Sequence, residues 1–215
     1  DERGAPARSY CSQRGFTEET VRDAGLGYTG CDWRDDVRGA FSMHQISLES
    51  PGAKAILGIP DGVLIYPFVE FGRVVYFSAR SIEGRRHWNP PTELVGSRPL
   101  YFNRTWAPRE TQVVVVEGPA DAITLDQWGV PGVALAGIAV NDATVATLRR
   151  HRDVVVALDS DEAGRKASRA LCDALGARTR FLELPEGVHD VNDGLQRGMT
   201  GDQMRDLLTS APLYV

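Results

Sequence analysis

The sequence predicts an α/β protein: a mainly parallel sheet flanked by helices, preceded by a smaller α+β segment. Three observations predict it. From residue 112 to about 195, short β-branched runs alternate with helical patterns, the spacing of parallel strands joined by right-handed crossovers. The runs are continuous in valine rather than alternating, which suits strands buried on both faces. Residues 1–111 lack that alternation, so the chain divides at 111/112 into an α+β segment and a parallel-sheet domain spanning 112–215.

The elements follow in order. "TEETVRDAGLG" (17–27) predicts a short capped helix stopped by glycine. "GVLIYPFVEFGRVVYFSARSI" (62–82) predicts a hairpin turning near Glu70, Phe71, Gly72 and Arg73. "EGRRHWNPPTELVGSRPLYFNRTW" (83–106) is rich in Arg, Pro and aromatic residues and reads as loop. The strands of the second half are 113–116, 132–136, 154–159 and 180–184. Helices are predicted over 119–128, 142–151, 162–175 and 201–210, with Pro119 at a first helical position and Gly129 and Gly176 at C-caps.

The 215 residues are enough for a substantial core, and 42% hydrophobic with 25% charged residues is ordinary for a globular protein. No apolar run approaches the ~20 residues that span a bilayer, so no membrane role is expected. "DERGAPARSY" has no signal-peptide core and no initiator Met, so the chain reads as a cytoplasmic fragment of a longer protein. Cys11, Cys31 and Cys172 form no Cys-x-x-Cys pair, and the four histidines are dispersed, which argues against a zinc ribbon.

A net charge of −5 argues against polyanion binding by the whole surface, but the charge is unevenly placed. From Arg80 to Arg109, Arg80, Arg85, Arg86, Arg98, Arg104 and Arg109 face only Glu83 and Glu93. From residue 112 onward, ten basic residues stand against fifteen acidic ones. A basic strip beside an acidic half suits phosphate binding on one part and divalent cations on another.

Three acidic clusters recur at predicted strand ends: Glu117 with Asp121, Asp159 with Asp161, and Asp190, Asn192 and Asp193. Parallel sheets bind ligands at the carboxyl ends of their strands, so these clusters converge on one edge. Mg2+ or Mn2+ wants hard oxygen ligands and keeps positions for water or phosphate. Gathered carboxylates repel one another unless a cation neutralises them. Each Asp alone is more often a helix cap, and Asp161 is placed to be one. The three clusters together are not explained by capping.

"VVVVEGPADAI" (113–123) and "VVVALDSDEAGRKA" (154–167) resemble the two defining motifs of the Toprim domain, shared by DnaG-type primases, type IA and II topoisomerases, and some nucleases and repair proteins. The resemblance makes Glu117 the family's Glu and Asp159 and Asp161 its Asp-x-Asp pair. Asp121, four residues after the Glu, is a primase-style feature. "LPEGVHDVNDGL" (184–195) is similar to the primase Leu-Pro-x-Gly segment with its following acids, here Asp190 and Asp193. Upstream, "RGFTEETVRDAGLGY", the 62–82 hairpin and the 85–106 loop resemble primase segments in the right order, so the resemblance covers roughly residues 14 to 210. Arg86 stands where primases often have Lys, and Asn192 replaces one of the third acidic pair. The family's N-terminal zinc-binding domain and C-terminal helical region are missing.

The resemblance implies a Rossmann-like Toprim sheet and the catalytic core of a DNA primase, making short RNA primers on single-stranded DNA from nucleoside triphosphates. It implies catalytic roles for Glu117, Asp121, Asp159 and Asp161. Mg2+ or Mn2+ would be held by Glu117, Asp159, Asp161, Asp190 and Asp193. Arg80, Arg86, Asn89, Arg98 and Lys166 become candidate contacts to nucleic acid or nucleotide. Arg grips phosphate oxygens in pairs. Trp88 is either a base-stacking platform or a packed aromatic. A replicative helicase would be a partner through regions outside this chain. A Toprim nuclease and a non-catalytic module binding nucleic acid or a helicase are the alternatives.

Overall fold

A computed structural model describes residues 2–84, 86–96, 98–104, 112–137 and 139–214. The chain forms two units, Asp1–Ser12 with Val21–Pro99 and Gln13–Thr20 with Leu100–Val215. The division after Pro99 differs from the expected one after residue 111. Residues 101–102 pair into the second sheet, and residues 13–20 are carried by the second unit as well.

Helix α1 (Ala5–Gln13) lies in the first unit up to Ser12, α2 (Glu18–Asp23) enters it at Val21, and the short strand β1 (Gly27–Tyr28) follows. The predicted glycine stop is met by Gly25, which adopts φ 63°. Two helices that the sequence pattern did not mark follow, α3 (Trp33–Met43) and α4 (Pro51–Leu57). Helix α4 is announced locally by Ser50, whose hydroxyl accepts from Ala53 N, with Pro51 behind it. The hairpin forms as β2 (Val63–Glu70) and β3 (Arg73–Ser81), and its turn residues Phe71 and Gly72 both take positive φ. β4 (His87–Trp88) completes an antiparallel sheet of order β1-β2-β3-β4, followed by α5 (Thr92–Val95).

The second unit begins with β5 (Tyr101–Phe102). It continues as β6 (Gln112–Val116), α6 (Pro119–Gln127), β7 (Gly132–Ala134), α7 (Asp142–Leu148), β8 (Asp153–Val156), α8 (Glu162–Leu175), β9 (Thr179–Phe181), α9 (Val191–Gln196) and α10 (Gly201–Ser210). The sheet order is β5-β7-β6-β8-β9, parallel throughout except for the edge strand β5. The valine run of β6 is central, and Val113 to Val116 are fully buried. Successive side chains of a strand point to opposite faces. Val113 and Val115 join Val133, Val154, Val156, Leu148 and Leu171 in one core layer, while Val114, Val116 and Val155 are buried on the other face. Continuous valine is what a strand with two covered faces requires.

β9 is shorter than the predicted 180–184. Leu182 N still donates to Val156 O, but the chain then leaves the sheet toward Pro185. Among the described residues, no helix is long and apolar enough to cross a membrane.

A buried asparagine ties β5, α6 and β7 together. Asn103 Nδ2 donates to Ala122 O (3.1 Å) and Val130 O (2.9 Å), and its Oδ1 accepts from Gly132 N (3.1 Å). Asn103→Ala leaves three backbone groups without these partners. Urea denaturation is expected to show a loss of about 2–4 kcal/mol.

Candidate metal centre at the carboxyl edge of the second sheet

Central β6 ends on Glu117, and neighbouring parallel β8 leads through Ala157 and Leu158 to Asp159. Ala157 N donates to Val115 O and keeps these two strand ends level, while Ala136 N, just beyond β7, donates to Glu117 O from the other side. The loop before α9 is then drawn to the same edge. Ser160 N donates to His189 O (2.8 Å), and Ser160 Oγ donates to Val188 O (2.9 Å). These bonds bring Asp190 into the field of Asp159 and Glu117.

The electrostatics record that gathering. Asp159 is pushed up to about 7, first by burial and then by Glu117, Asp190 and Asp161. Glu117 is raised by burial, then by Asp161 and Asp190. Glu117 and Asp159 are thus raised partly by the negative charges of Asp161 and Asp190 beside them. Among the described residues, however, no three Asp, Glu, His or Cys side chains converge closely enough to enclose an ion by themselves. The arrangement is an open acidic basin. That fits Mg2+, which binds through one or two carboxylates and fills its remaining positions with water or substrate phosphate.

The acids have different local duties. Asp161 is the N-cap of α8 and accepts from Gly164 N (2.7 Å) through one oxygen. The capping role the sequence allowed is therefore real, and only Oδ1 is spent on that bond. Asp190 caps α9 in the same way, accepting from Asp193 N. Asp121 differs: it is buried, Oδ2 accepts from Gly118 N (3.2 Å), and Oδ1 accepts from Asn192 N (3.0 Å). Burial, reinforced by Asp190, pushes it up to about 8 despite those two N–H donors. Burial also works to raise Asp193, but His189 N–H and the Arg197 guanidinium outweigh it and hold it below the usual range. Asp121, with both oxygens hydrogen-bonded, and Asp193, ion-paired to Arg197, are thus more fully engaged within the protein than Asp161 and Asp190, which each accept one backbone N–H. Asn192 is buried and wholly hydrogen-bonded, so it does not stand at the basin as a substitute ligand.

Gly164 explains the "DEAGR" spelling. A Cβ on it would lie 2.1 Å from the backbone oxygen of Asp159. The first turn of α8 therefore packs directly on the strand end that carries the acid. Gly164→Ala must push one off the other, and overpacking of this kind costs about 1–3 kcal/mol. A lowered melting temperature with weakened Mn2+ binding is expected; an unchanged Mn2+ affinity would show that the shift spares Asp159.

The basic candidates lie in the first unit, apart from Lys166. Arg80 is in β3, and its Nε is buried without a hydrogen-bond partner among the described residues. Arg86 is exposed. Arg98 Nε donates to Tyr76 Oη (3.1 Å), which donates to Asn89 Oδ1 at 3.5 Å, so Arg98 and Asn89 share one anchor. Trp88 stacks on Phe77 with ring centroids 5.5 Å apart and packs against the Ile59, Val63 and Ala79 cluster. Of its two readings, the packed aromatic is the one observed. Lys166 is exposed on α8. Arg85 and Arg109 lie outside the described residues.

Residues 114–195 match the family described as Toprim-like, which defines the class of the second unit. Over nearly its whole length the chain is similar to bacterial DNA primases. It is 30% identical to the DNA primase of Pseudomonas aeruginosa over 236 residues, covering 95% of this chain and 35% of that one. The RNA polymerase domain of Mycobacterium tuberculosis primase DnaG superposes with a TM-score of 0.82 at 24% identity, over 99% of this chain and 78% of that one. A DnaG primase catalytic domain bound to ssDNA superposes with a TM-score of 0.78 at 21% identity, over 99% and 74%. These superpositions establish the fold. Residues 114–195 are Toprim-like, and the chain as a whole is similar to primases of the DnaG type. It spans about a third of the length of the curated primases it matches.

Proposed function

We propose that the chain is the catalytic core of a DNA primase, joining ribonucleoside triphosphates into short RNA on a single-stranded DNA template. The observation that carries this is the open acidic basin of Glu117, Asp159, Asp161 and Asp190 at the strand ends of a Toprim-like domain. Those four residues would hold Mg2+ or Mn2+, which supplies charge neutralisation for the triphosphate and for the attacking and leaving oxygens. Asp121 and Asp193 take positioning roles, because both oxygens of Asp121 accept backbone N–H groups and Asp193 Oδ2 accepts from His189 N and the Arg197 guanidinium.

The chain's own groups account for the rest of the step. The 3′-hydroxyl oxygen of the growing RNA bonds to the α-phosphorus of the incoming nucleotide, and pyrophosphate leaves. Glu117 takes the hydroxyl proton on a carboxylate oxygen, a task that its raised pKa favours. Arg80, Arg86, Asn89 and Arg98 contact template or nucleotide phosphate, and Lys166 contacts the triphosphate. The protein works in the cytoplasm, with a replicative helicase as a partner. The test is RNA synthesis on single-stranded DNA with labelled ribonucleotides and Mg2+ or Mn2+. Shortened DNA without RNA would instead indicate the nuclease reading.

A further inference from the structure

We propose that Arg14 and Asn192 form a positioning pair that fixes Asp190, the third element of the acidic basin, through the first turn of α9. This rests on the basin being a metal centre, as argued above.

Asn192 is 1% exposed. Its Nδ2 donates to Arg14 O (3.0 Å) and Thr124 Oγ1 (2.9 Å). Its Oδ1 accepts from Arg14 Nη1 (2.8 Å) and Gln196 Nε2 (3.0 Å). Its backbone N donates to Asp121 Oδ1 (3.0 Å). One side chain therefore ties α9 to α6 and to the segment 13–20. That segment is fastened independently: Gln127 Nε2 donates to Gly15 O, and Thr17 N and Thr20 Oγ1 donate to Gln127 Oε1.

Asp190 is the N-cap of α9, two residues before Asn192. A six-residue helix has little stability of its own and takes its position from what it packs on. On the Asn192 side, α9 rests on the strap at 13–20 and on α6. An amide is also the group this place requires. A carboxylate at 192 could accept from Arg14 Nη1, but it could not donate to Arg14 O or Thr124 Oγ1. It would also put a further negative charge beside Asp121. Asn192 thus holds the helix through hydrogen bonds rather than through an ion.

The experiment uses the whole chain with Arg14→Ala, Asn192→Ala and Arg14→Lys. Mn2+ affinity is read from the electron paramagnetic resonance of free Mn2+, and amide exchange over 188–194 is followed without metal. Outer-sphere partners of metal ligands typically change metal affinity about 10–100-fold. We expect Arg14→Ala and Asn192→Ala to weaken Mn2+ binding at least about tenfold and to speed exchange at 190–194, with Arg14→Lys recovering most of the affinity. Primer synthesis should return toward wild type at saturating Mn2+, a KM effect that loss of folded protein would not produce. Arg14 is half-buried, so its variants carry the test if Asn192→Ala does not fold. Folded variants that bind Mn2+ as wild type does would overturn the proposal, as would absence of Mn2+ binding by the wild type. If the wild type binds Mn2+ but makes no RNA, the primase reading fails while the pair is still judged by the affinities.

Discussion

Asp159→Ala and Glu117→Gln are each expected to lower RNA synthesis by more than about a hundredfold while leaving the second unit folded. The magnitude follows from their place. Loss of a residue that merely orients a metal ligand costs up to about a hundredfold in metal affinity or activity, and these two stand among the ligands themselves. Folding should survive because both carboxylates are under strain in the metal-free protein. Asp159 is pushed up to about 7 by burial and by Glu117, Asp190 and Asp161, so removing its charge relieves repulsion. Circular dichroism melts beside primer assays check both halves. An inactive variant that has also lost its melting transition would refute the claim that these acids are functional rather than structural.

The second large effect is on stability. Asp121 and Asp159 go from 3.8 up to about 8 and about 7 on folding. The folded chain therefore binds more protons than the unfolded chain between about pH 4 and pH 8. Stability must fall as pH rises through that window and recover on acidification. Asp61, held low by Trp33 and Arg34, and Asp193, held low against its burial by His189 N–H and Arg197, act in the opposite sense, and their contribution is lost only near and below about pH 4. Without metal, melting should therefore be several degrees higher at pH 5.5 than at pH 8. After discounting Asp159 for its solvent exposure, the difference should be on the order of 3 kcal/mol, most of it from Asp121. Mg2+ or Mn2+ should raise the melting temperature much more at pH 8 than at pH 5.5, because only the ionised cluster gains from a cation. A flat pH profile, or equal cation effects at both pH values, would contradict a repelling basin.

The parallel sheet was legible because its signals are local. Four consecutive valines report burial on both faces, and Pro119, Gly129 and Gly176 mark helix ends by backbone chemistry that depends on no distant residue. The basin was legible for the same reason: Glu117, Asp159 and Asp190 follow strand or loop ends whose direction the crossover rule sets. Which acids stay free was not legible. Asp121 is set apart by a long-range partner, Asn192 N, and Asp193 by the cation of Arg197, and spacing encodes neither. Arg14 and Asn192 meet across 178 positions, so no window of sequence contains both. Helix α3 escaped because it begins at Asp32, a residue with φ 62° and no side-chain cap, and so lacks a recognisable start. The division after Pro99 was not legible, because Tyr101–Phe102 is too short a strand to announce which sheet it joins.

Extension of a short RNA annealed to single-stranded DNA tests the central claim most directly, because it asks for nucleotidyl transfer without asking for initiation. The whole chain is incubated with α-labelled ribonucleotides and Mg2+ or Mn2+. The expected result is RNA lengthened according to the template, dependent on divalent cation and absent with Asp159→Ala. RNA that stays at its starting length under every cation, or label incorporated equally by Asp159→Ala, would contradict it.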